Sequence, residues 1–250
     1  MRFFLEVAYK GTKYHGWQIQ QNARSVQEEI NLNLTKLFGP VTTMGSGRTD
    51  TGVHAEQQFL QLDLEVAFTQ EHLSKLNTML PKDIAIKNYF PVTPGASARH
   101  DPLHRTYEYR ICKFKNPFMS ELAYLYSRPL DMDAMNEAAA LLLLHTDFQS
   151  FSKVKTSVDH FLCDLQVAKW EARDEFLVFT ITGNRFLRGM VRAIVGTLIK
   201  VGLGKITPED FDLIIAAKDR KAAGQAAPPQ GLFLTSIVYP SNIFLEPQVK

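Results

Sequence analysis

Gly45-Ser46-Gly47-Arg48-Thr49-Asp50-Thr51-Gly52-Val53-His54-Ala55 brackets one arginine and one aspartate with glycines. Glycine opens backbone conformations closed to other residues and lets a neighbouring chain come close. The stretch therefore reads as a tight loop carrying Asp50, with Arg48 two residues before it. A short strand near Val41 to Met44 leads in. Gln57 to Leu64 leads out as a second strand, with Phe59 facing away from Leu60 and Leu62 away from Asp63. A carboxylate on such a loop can serve as nucleophile, general base, metal ligand, or a plain cap bonding its own backbone.

Working outward, Arg2 to Tyr9 is a Phe-, Leu- and Val-rich strand. The loop after it holds two glycines, Gly11 and Gly16, with Tyr14 and Trp17 read as a hydrophobic lid over the core. Ser25-Val26-Gln27-Glu28 has the form of a capping box. The helix it opens carries Ile30, Leu34, Leu37 and Phe38 on one face and stops at Gly39-Pro40. Downstream, Thr69 to Leu80 reads as a helix ending at Pro81, and Ile84 to Val92 as a strand. The resulting order, β-α-β-β-α-β, is that of a ferredoxin-like unit.

After a hinge at Val92 to Ser97 the order repeats loosely. Strands are expected at Thr106–Ile111, Phe161–Trp170 and Phe176–Thr182, with a turn at Arg173-Asp174-Glu175. Helices are expected at Met132–Leu144, buried, at Arg185–Val201 and at Pro208–Ala217. A last strand runs from Leu232 to Tyr239. The expectation is an α+β chain of two ferredoxin-like (RRM-like) halves, 1–97 and 98–250, with a mostly antiparallel joined sheet and a central active-site cleft. The first half carries the Asp50 loop.

Composition narrows the function classes. At 250 residues and 45% hydrophobic the chain builds a sizeable core. A net charge of +2, evenly spread, leaves any nucleic-acid surface to local clustering rather than total charge. Cys112 and Cys163 read as buried reduced thiols, and no metal-spaced Cys/His cluster occurs in the sequence, so it offers no metal site. The apolar run at Met1 breaks too early for a signal peptide, and none reaches membrane-spanning length. A soluble cytoplasmic protein is the expectation.

Two further positions carry chemistry. In the Arg185–Val201 helix, Gly189 and Gly196 share a face with Arg192 by spacing. Interior helix glycines cost roughly 1 kcal/mol each relative to alanine. A close approach by another segment over Arg192 would account for them. Tyr107 and Tyr109 face one side of their strand. Core packing accounts for Tyr109, while Tyr107, nearer the strand start, is a candidate for stacking on a base. The turn Ala227-Pro228-Pro229-Gln230-Gly231 delivers Leu232 and Leu234 to the final strand. Leu232 is ordinarily core and is also a candidate wall of a base pocket.

Gly47 to Ala55 resembles the active-site motif of the tRNA pseudouridine synthase A family. Gly16-Trp17-Gln18-Ile19-Gln20 resembles the end of its first motif, and Asp147-Phe148-Gln149-Ser150-Phe151 its Asp-Phe-x-Ser-Phe. Phe186 to Gly196 resembles Phe-Leu-x-x-Met-Val-Arg-x-Ile-Val-Gly, and Ala227 to Leu234 resembles the closing Ala-Pro-x-x-Gly-Leu-x-Leu. Ala98-Arg99-His100 departs from the family's Ala-Arg-Phe at His100. The resemblance runs from Tyr9 to Tyr239. It implies isomerisation of uridine in the anticodon stem-loop of tRNA by a homodimer without cofactor. It also implies Asp50 as nucleophile, Arg192 as its ion-pair partner, Tyr107 on the base and Arg48 aiding base extraction. Lys10, Lys13, Arg24, Arg99, Arg105, Lys113, Lys115, Lys153, Lys155, Arg185 and Arg188 are the cations available for phosphates.

Two rivals remain from the residues. Asp50-Thr51-Gly52 is also the tripeptide of aspartic proteases, whose chemistry needs two carboxylates sharing a proton. No second copy occurs, so a homodimer would have to supply it. A non-catalytic RNA-binding module is the other, since ferredoxin-like sheets present aromatics to bases.

Overall fold

A computed structural model describes residues 1–154 and 159–245, which leaves Lys155 outside the described residues. The described chain forms two compact units. The first comprises Met1–Leu103 together with the described residues from Leu234 onward, and the second His104–Phe233.

In the first unit β1 (Arg2–Tyr9), α1 (Val26–Phe38), β2 (Thr43–Gly45), β3 (His54–Asp63), α2 (Gln70–Met79) and β4 (Ile84–Val92) follow the expected order. Local chemistry starts α1 where the sequence placed it. The Ser25 side chain accepts from the Glu28 amide and the Glu28 carboxylate accepts from the Ser25 amide. Thr69 and His72 form the same reciprocal pair at α2. β1 lies between β3 and β4, antiparallel to both, with Leu5 opposite Leu60 and Tyr89. β2 takes a short stretch of β3's other edge, and β9 (Leu232–Val238) is also a neighbour of β3.

Both faces of this sheet are covered. On one, Phe3 packs near Phe68, which also meets Phe38, His72 and Tyr89. On the other, Phe4, Phe59, Phe90, Tyr239 and Phe244 form an aromatic cluster with ring centroids 5.2–6.5 Å apart. The C-terminal segment thus roofs the face that α1 and α2 leave open. Every residue from Gln58 to Leu62 is consequently buried, on both faces of a strand that forms as expected. The roof comes from residues about 180 positions away.

In the second unit the sheet order is β5 (His104–Cys112), β8 (Phe176–Gly183), β7 (Leu165–Arg173), antiparallel throughout, with short β6 (Tyr124–Leu125) parallel to β5. The expected turn sits between β7 and β8, where Asp174 adopts a left-handed φ of 53°. Helices α3 (Met132–Leu141), α4 (Met190–Gly202) and α5 (Pro208–Ala216) complete it. The α+β class is as expected, with three corrections of detail. α3 buries only one face, and Leu143 and Leu144 of the 3-10 turn beyond it are exposed. β7 begins at Leu165, not Phe161. α4 begins at Met190, not Arg185, because Gly189 takes a left-handed φ of 72° and serves as N-cap. Among the described residues no helix is long and apolar enough to cross a membrane, and Cys112 and Cys163 are buried free thiols.

One buried and one half-buried carboxylate tie stability to pH. Burial pushes Glu6 up, but bonds from Asn88 and Gln57 and the Lys87 ammonium outweigh it and leave Glu6 below its ordinary value of 4.5. Burial likewise opposes Arg173 and Arg110 at Glu108, and the arginines win. A depressed carboxylate stabilises the fold above its unfolded pKa, and that contribution is lost as pH falls through the folded value. The thermal midpoint is therefore expected to fall as pH drops below about 4.5. Glu6→Gln should flatten the profile in that window. Superimposable acid profiles of the two proteins would remove Glu6 from the account.

Candidate active site

The Asp50 loop is built by backbone pressed on backbone. Two segments hold it, the loop after β1 and the start of β3. Trp17 donates its amide to Thr49 O at 3.4 Å, and Gly52 donates to Tyr14 O at 3.3 Å. The Tyr9 hydroxyl and Thr49 Oγ1 share a buried 2.8 Å hydrogen bond. Gly11 donates its amide to His54 Nδ1 at 2.9 Å. These contacts require glycine. A Cβ on Gly16, whose φ is +89°, would lie 2.3 Å from Thr49 O, and one on Gly11 would lie 1.9 Å from Val53 O. A Cβ on Gly45 would strike the Trp17 indole.

From the other side, Ser46 Oγ donates to Gln58 Oε1, and the Gln58 amide returns to Gly47 O at 3.0 Å. The Val53 amide closes the turn onto Asp50 O at 3.1 Å, with Gly52 at a φ of +77°. The Arg48–Asp50 pair is thus held at Gly47 before it and at Gly52 after it. Thr49 is buried, Asp50 half-buried and Arg48 exposed. Trp17 is fully buried and Tyr14 nearly so, with its hydroxyl donating to Asp83 at 2.6 Å. Both belong to the scaffold of the loop, as the lid reading expected.

The remaining candidates belong to the second unit. Tyr107, opposite Ile181 in β5, is buried and meets Phe186 edge to face, with centroids 5.1 Å apart. Tyr109 is fully buried and donates to Pro228 O at 2.8 Å. Arg192 sits in the first turn of α4. Its Nε donates to Ala227 O at 2.6 Å, and the Ala227 amide donates to Arg192 O at 2.8 Å. That two-way clasp is the close approach the sequence called for. Gly196 permits it, since a Cβ there would lie 1.8 Å from Gln225 O. Gly189 has the other explanation, a left-handed cap rather than a close approach. Leu232 is buried at the start of β9.

The clasp fixes the plane of the Arg192 guanidinium through one nitrogen, an orientation a lysine cannot reproduce. Sequence reasoning gave no role to Phe186, which supports Tyr107, or to Thr49, which anchors the loop. The pairing Tyr9–Thr49 joins residues 40 apart and has no local signal. Among the described residues no group of three or more His, Cys, Asp or Glu is placed to hold a metal ion.

Comparison with known proteins adds a second line of evidence. Residues 138–240 match a family model described as tRNA pseudouridine synthase. A protein of Porphyromonas gingivalis named tRNA pseudouridine synthase A is 46% identical over 98% of this chain and 99% of its own length. One from Parabacteroides distasonis with the same name is 45% identical over 97% and 98%. Another, from Exiguobacterium sibiricum, is 35% identical over 96% and 98%.

The glycine contacts make a paired prediction. Gly39 and Gly16 both have positive φ, but a Cβ on Gly39 meets nothing within 4 Å. Gly39→Ala should cost about 1 kcal/mol for the backbone alone. Gly16→Ala should cost about 1–3 kcal/mol more, for pushing the Thr49 backbone away. Equal losses for the two variants in thermal or chemical unfolding would show that Gly16 does not hold the Asp50 loop.

Proposed function

The chain belongs to the tRNA pseudouridine synthase A family, and from that membership we propose how it converts uridine to pseudouridine in the anticodon stem-loop of tRNA. The reaction breaks the bond between C1′ of the ribose and N1 of uracil. It turns the base and joins C1′ to C5. The proton on C5 leaves and N1 gains one, so the product is an isomer of the substrate. Nothing is oxidised, and no group is gained or lost, so the chemistry itself calls for no cofactor.

Asp50 is the nucleophile, and Arg192 supplies the cation that keeps its carboxylate charged. Tyr107 holds the base and Leu232 forms an apolar wall beside it. Arg48 assists extraction of the base from its stack. The motif matches carry these assignments. The observation that supports them best is the pinned loop, because nucleophilic attack gains most from a carboxylate already positioned. A protease reading of Asp50-Thr51-Gly52 has no support in the family. A pure binding module has no need of so constrained an aspartate. The exposed Arg48, Arg99, Arg188 and Lys153 are among the cations for the tRNA backbone. The working form is a homodimer in the cytoplasm.

Asp50→Asn keeps the side chain's shape and removes its charge. Pseudouridine formation should vanish at every uridine, while tRNA affinity at fixed salt changes little. Undiminished product, mapped chemically or by mass, would remove Asp50 from the mechanism.

Arg48 makes a separate prediction. A stacked uridine costs a few kcal/mol to extract. Arg48→Ala should therefore slow reaction at a stem uridine more than in a single-stranded oligonucleotide. Identical losses on both substrates would leave Arg48 with phosphate binding alone.

A further inference from the structure

The β1 ladder ends at Tyr9, which faces Ala55 on one side and Ile84 on the other. The next two amides turn elsewhere. Lys10 donates to Asp83 O at 2.9 Å, and Gly11 donates to a side chain, His54 Nδ1, also at 2.9 Å. Gly11 is buried, and His54 is only 1% exposed. An amide cut off from water needs an acceptor, and here it is an imidazole nitrogen rather than a carbonyl. A backbone amide can only donate. Nδ1 therefore accepts, and the ring is neutral with its proton on Nε2.

From His54 the contacts lead straight to Asp50. The residue before it, Val53, closes the turn with its amide on Asp50 O at 3.1 Å. The Gly11 backbone lies flat on that same residue, since a Cβ on Gly11 would come 1.9 Å from Val53 O. Tyr14 donates its amide to Gly11 O at 2.9 Å, and its own carbonyl accepts from Gly52 at 3.3 Å. Residues 11–14 and 52–54 are thus joined at both ends, by a backbone bond at one and by the His54 ring at the other. Without that ring the Gly11 amide is buried and unpaired, and one end of the buttress behind Asp50 is loose.

We propose that His54 is a positioning residue for the isomerisation: its Nδ1 holds the Gly11 end of the buttress and so fixes where the Asp50 carboxylate stands. It acts through the backbone and not on the uridine. Other side chains meet the requirement poorly. A carboxylate also accepts, but it would bury a second negative charge four residues from Asp50. Leucine fills the space and accepts nothing. Asparagine alone among neutral amides matches the reach, because its Oδ1 stands as many bonds from Cα as Nδ1 does. Glutamine places its oxygen one bond farther out, where Nε2 stands. This inference rests on Asp50 as the nucleophile and adds the side chain that sets it in place.

Single-turnover pseudouridine formation at saturating enzyme, tRNA affinity at fixed salt and circular dichroism, measured on each variant, test it. His54→Leu should lower the single-turnover rate about 100-fold, the scale of a displaced reacting group. Its tRNA affinity should change little, since phosphate contacts supply most of it. His54→Asn should recover most of the rate, and His54→Gln should not. Those two are compared at a temperature where both are folded, so the comparison holds even for a leucine variant that does not fold. Equal rates for the asparagine and glutamine variants would overturn the proposal. So would a faster glutamine variant, which would put the needed group at Nε2. An unchanged single-turnover rate with weakened tRNA binding would make His54 a support for binding and equally overturn it. Asp50→Asn, run alongside, separates the two levels. Product from that variant would remove the nucleophile and this inference together. An inactive Asp50→Asn beside fully active His54 variants would remove only the inference.

Discussion

The Asp50 loop depends on the backbone of one loop lying directly against another. Thr49 O accepts from Trp17 within reach of Gly16, and Thr49 Oγ1 meets Tyr9. Contacts of this kind leave no room for a side chain, and so they are specified by what is absent. Gly11, Gly16 and Gly45 each face an atom that a Cβ would strike. Buried backbone groups must be paired, and here the pairing partners are the loop and its buttress. The result is a carboxylate held between a pinned Thr49 and a pinned Gly52 while its own side chain sits half in water. In the role proposed for Asp50 such preorganisation is an advantage, because positioning is completed before the substrate arrives.

The second unit uses the same device with a different grip. Gly196 lets residues 225–227 lie across α4, and Arg192 locks them through its Nε and its carbonyl. A cation in the first helical turn is electrostatically disfavoured, because the helix N-terminus is already positive. Its presence there is offset by the carbonyl it bonds. The chain leaving this clasp runs through Pro228 and Pro229, where Tyr109 holds Pro228 O, and enters β9 at Leu232. Clasp, turn and Leu232 are thus one mechanical piece, so a disturbance at Arg192 is transmitted to the start of the strand.

What the sequence disclosed follows the range of the forces involved. Ser25 and Glu28 are three residues apart, so their reciprocal caps were legible and α1 starts where expected. β4 matches for the same reason: turn residues and β-branched runs are local. β3 forms as expected, but the burial of its second face by Tyr239 and Phe244 is something no pattern within the strand reports. Gly189 was misjudged because an αL cap and an interior glycine leave the same mark in a helical window. Tyr107 and Tyr109 are alike in spacing. Only packing separates the one held by Pro228 from the one held by Phe186.

The chemistry explains why so much of the molecule is spent on rigidity. An isomerisation that cuts a base from its sugar and rejoins it must keep both pieces in place between the two events. A water reaching C1′ in that interval would leave an abasic site instead of product. Holding is therefore as much a requirement as attacking, and a nucleophile on a loose loop would meet only the second. On the roles proposed for them, the pinned turn at Asp50, the clasped Arg192 and the braced ring of Tyr107 each meet the first. Each relies on a contact outside its own motif: Tyr9 and Trp17 for the aspartate, Ala227 for the arginine, Phe186 for the tyrosine. Substituting one of these supports should then affect retention of the base before it affects attack. Product partitioning between pseudouridine and abasic RNA is where that difference would be seen.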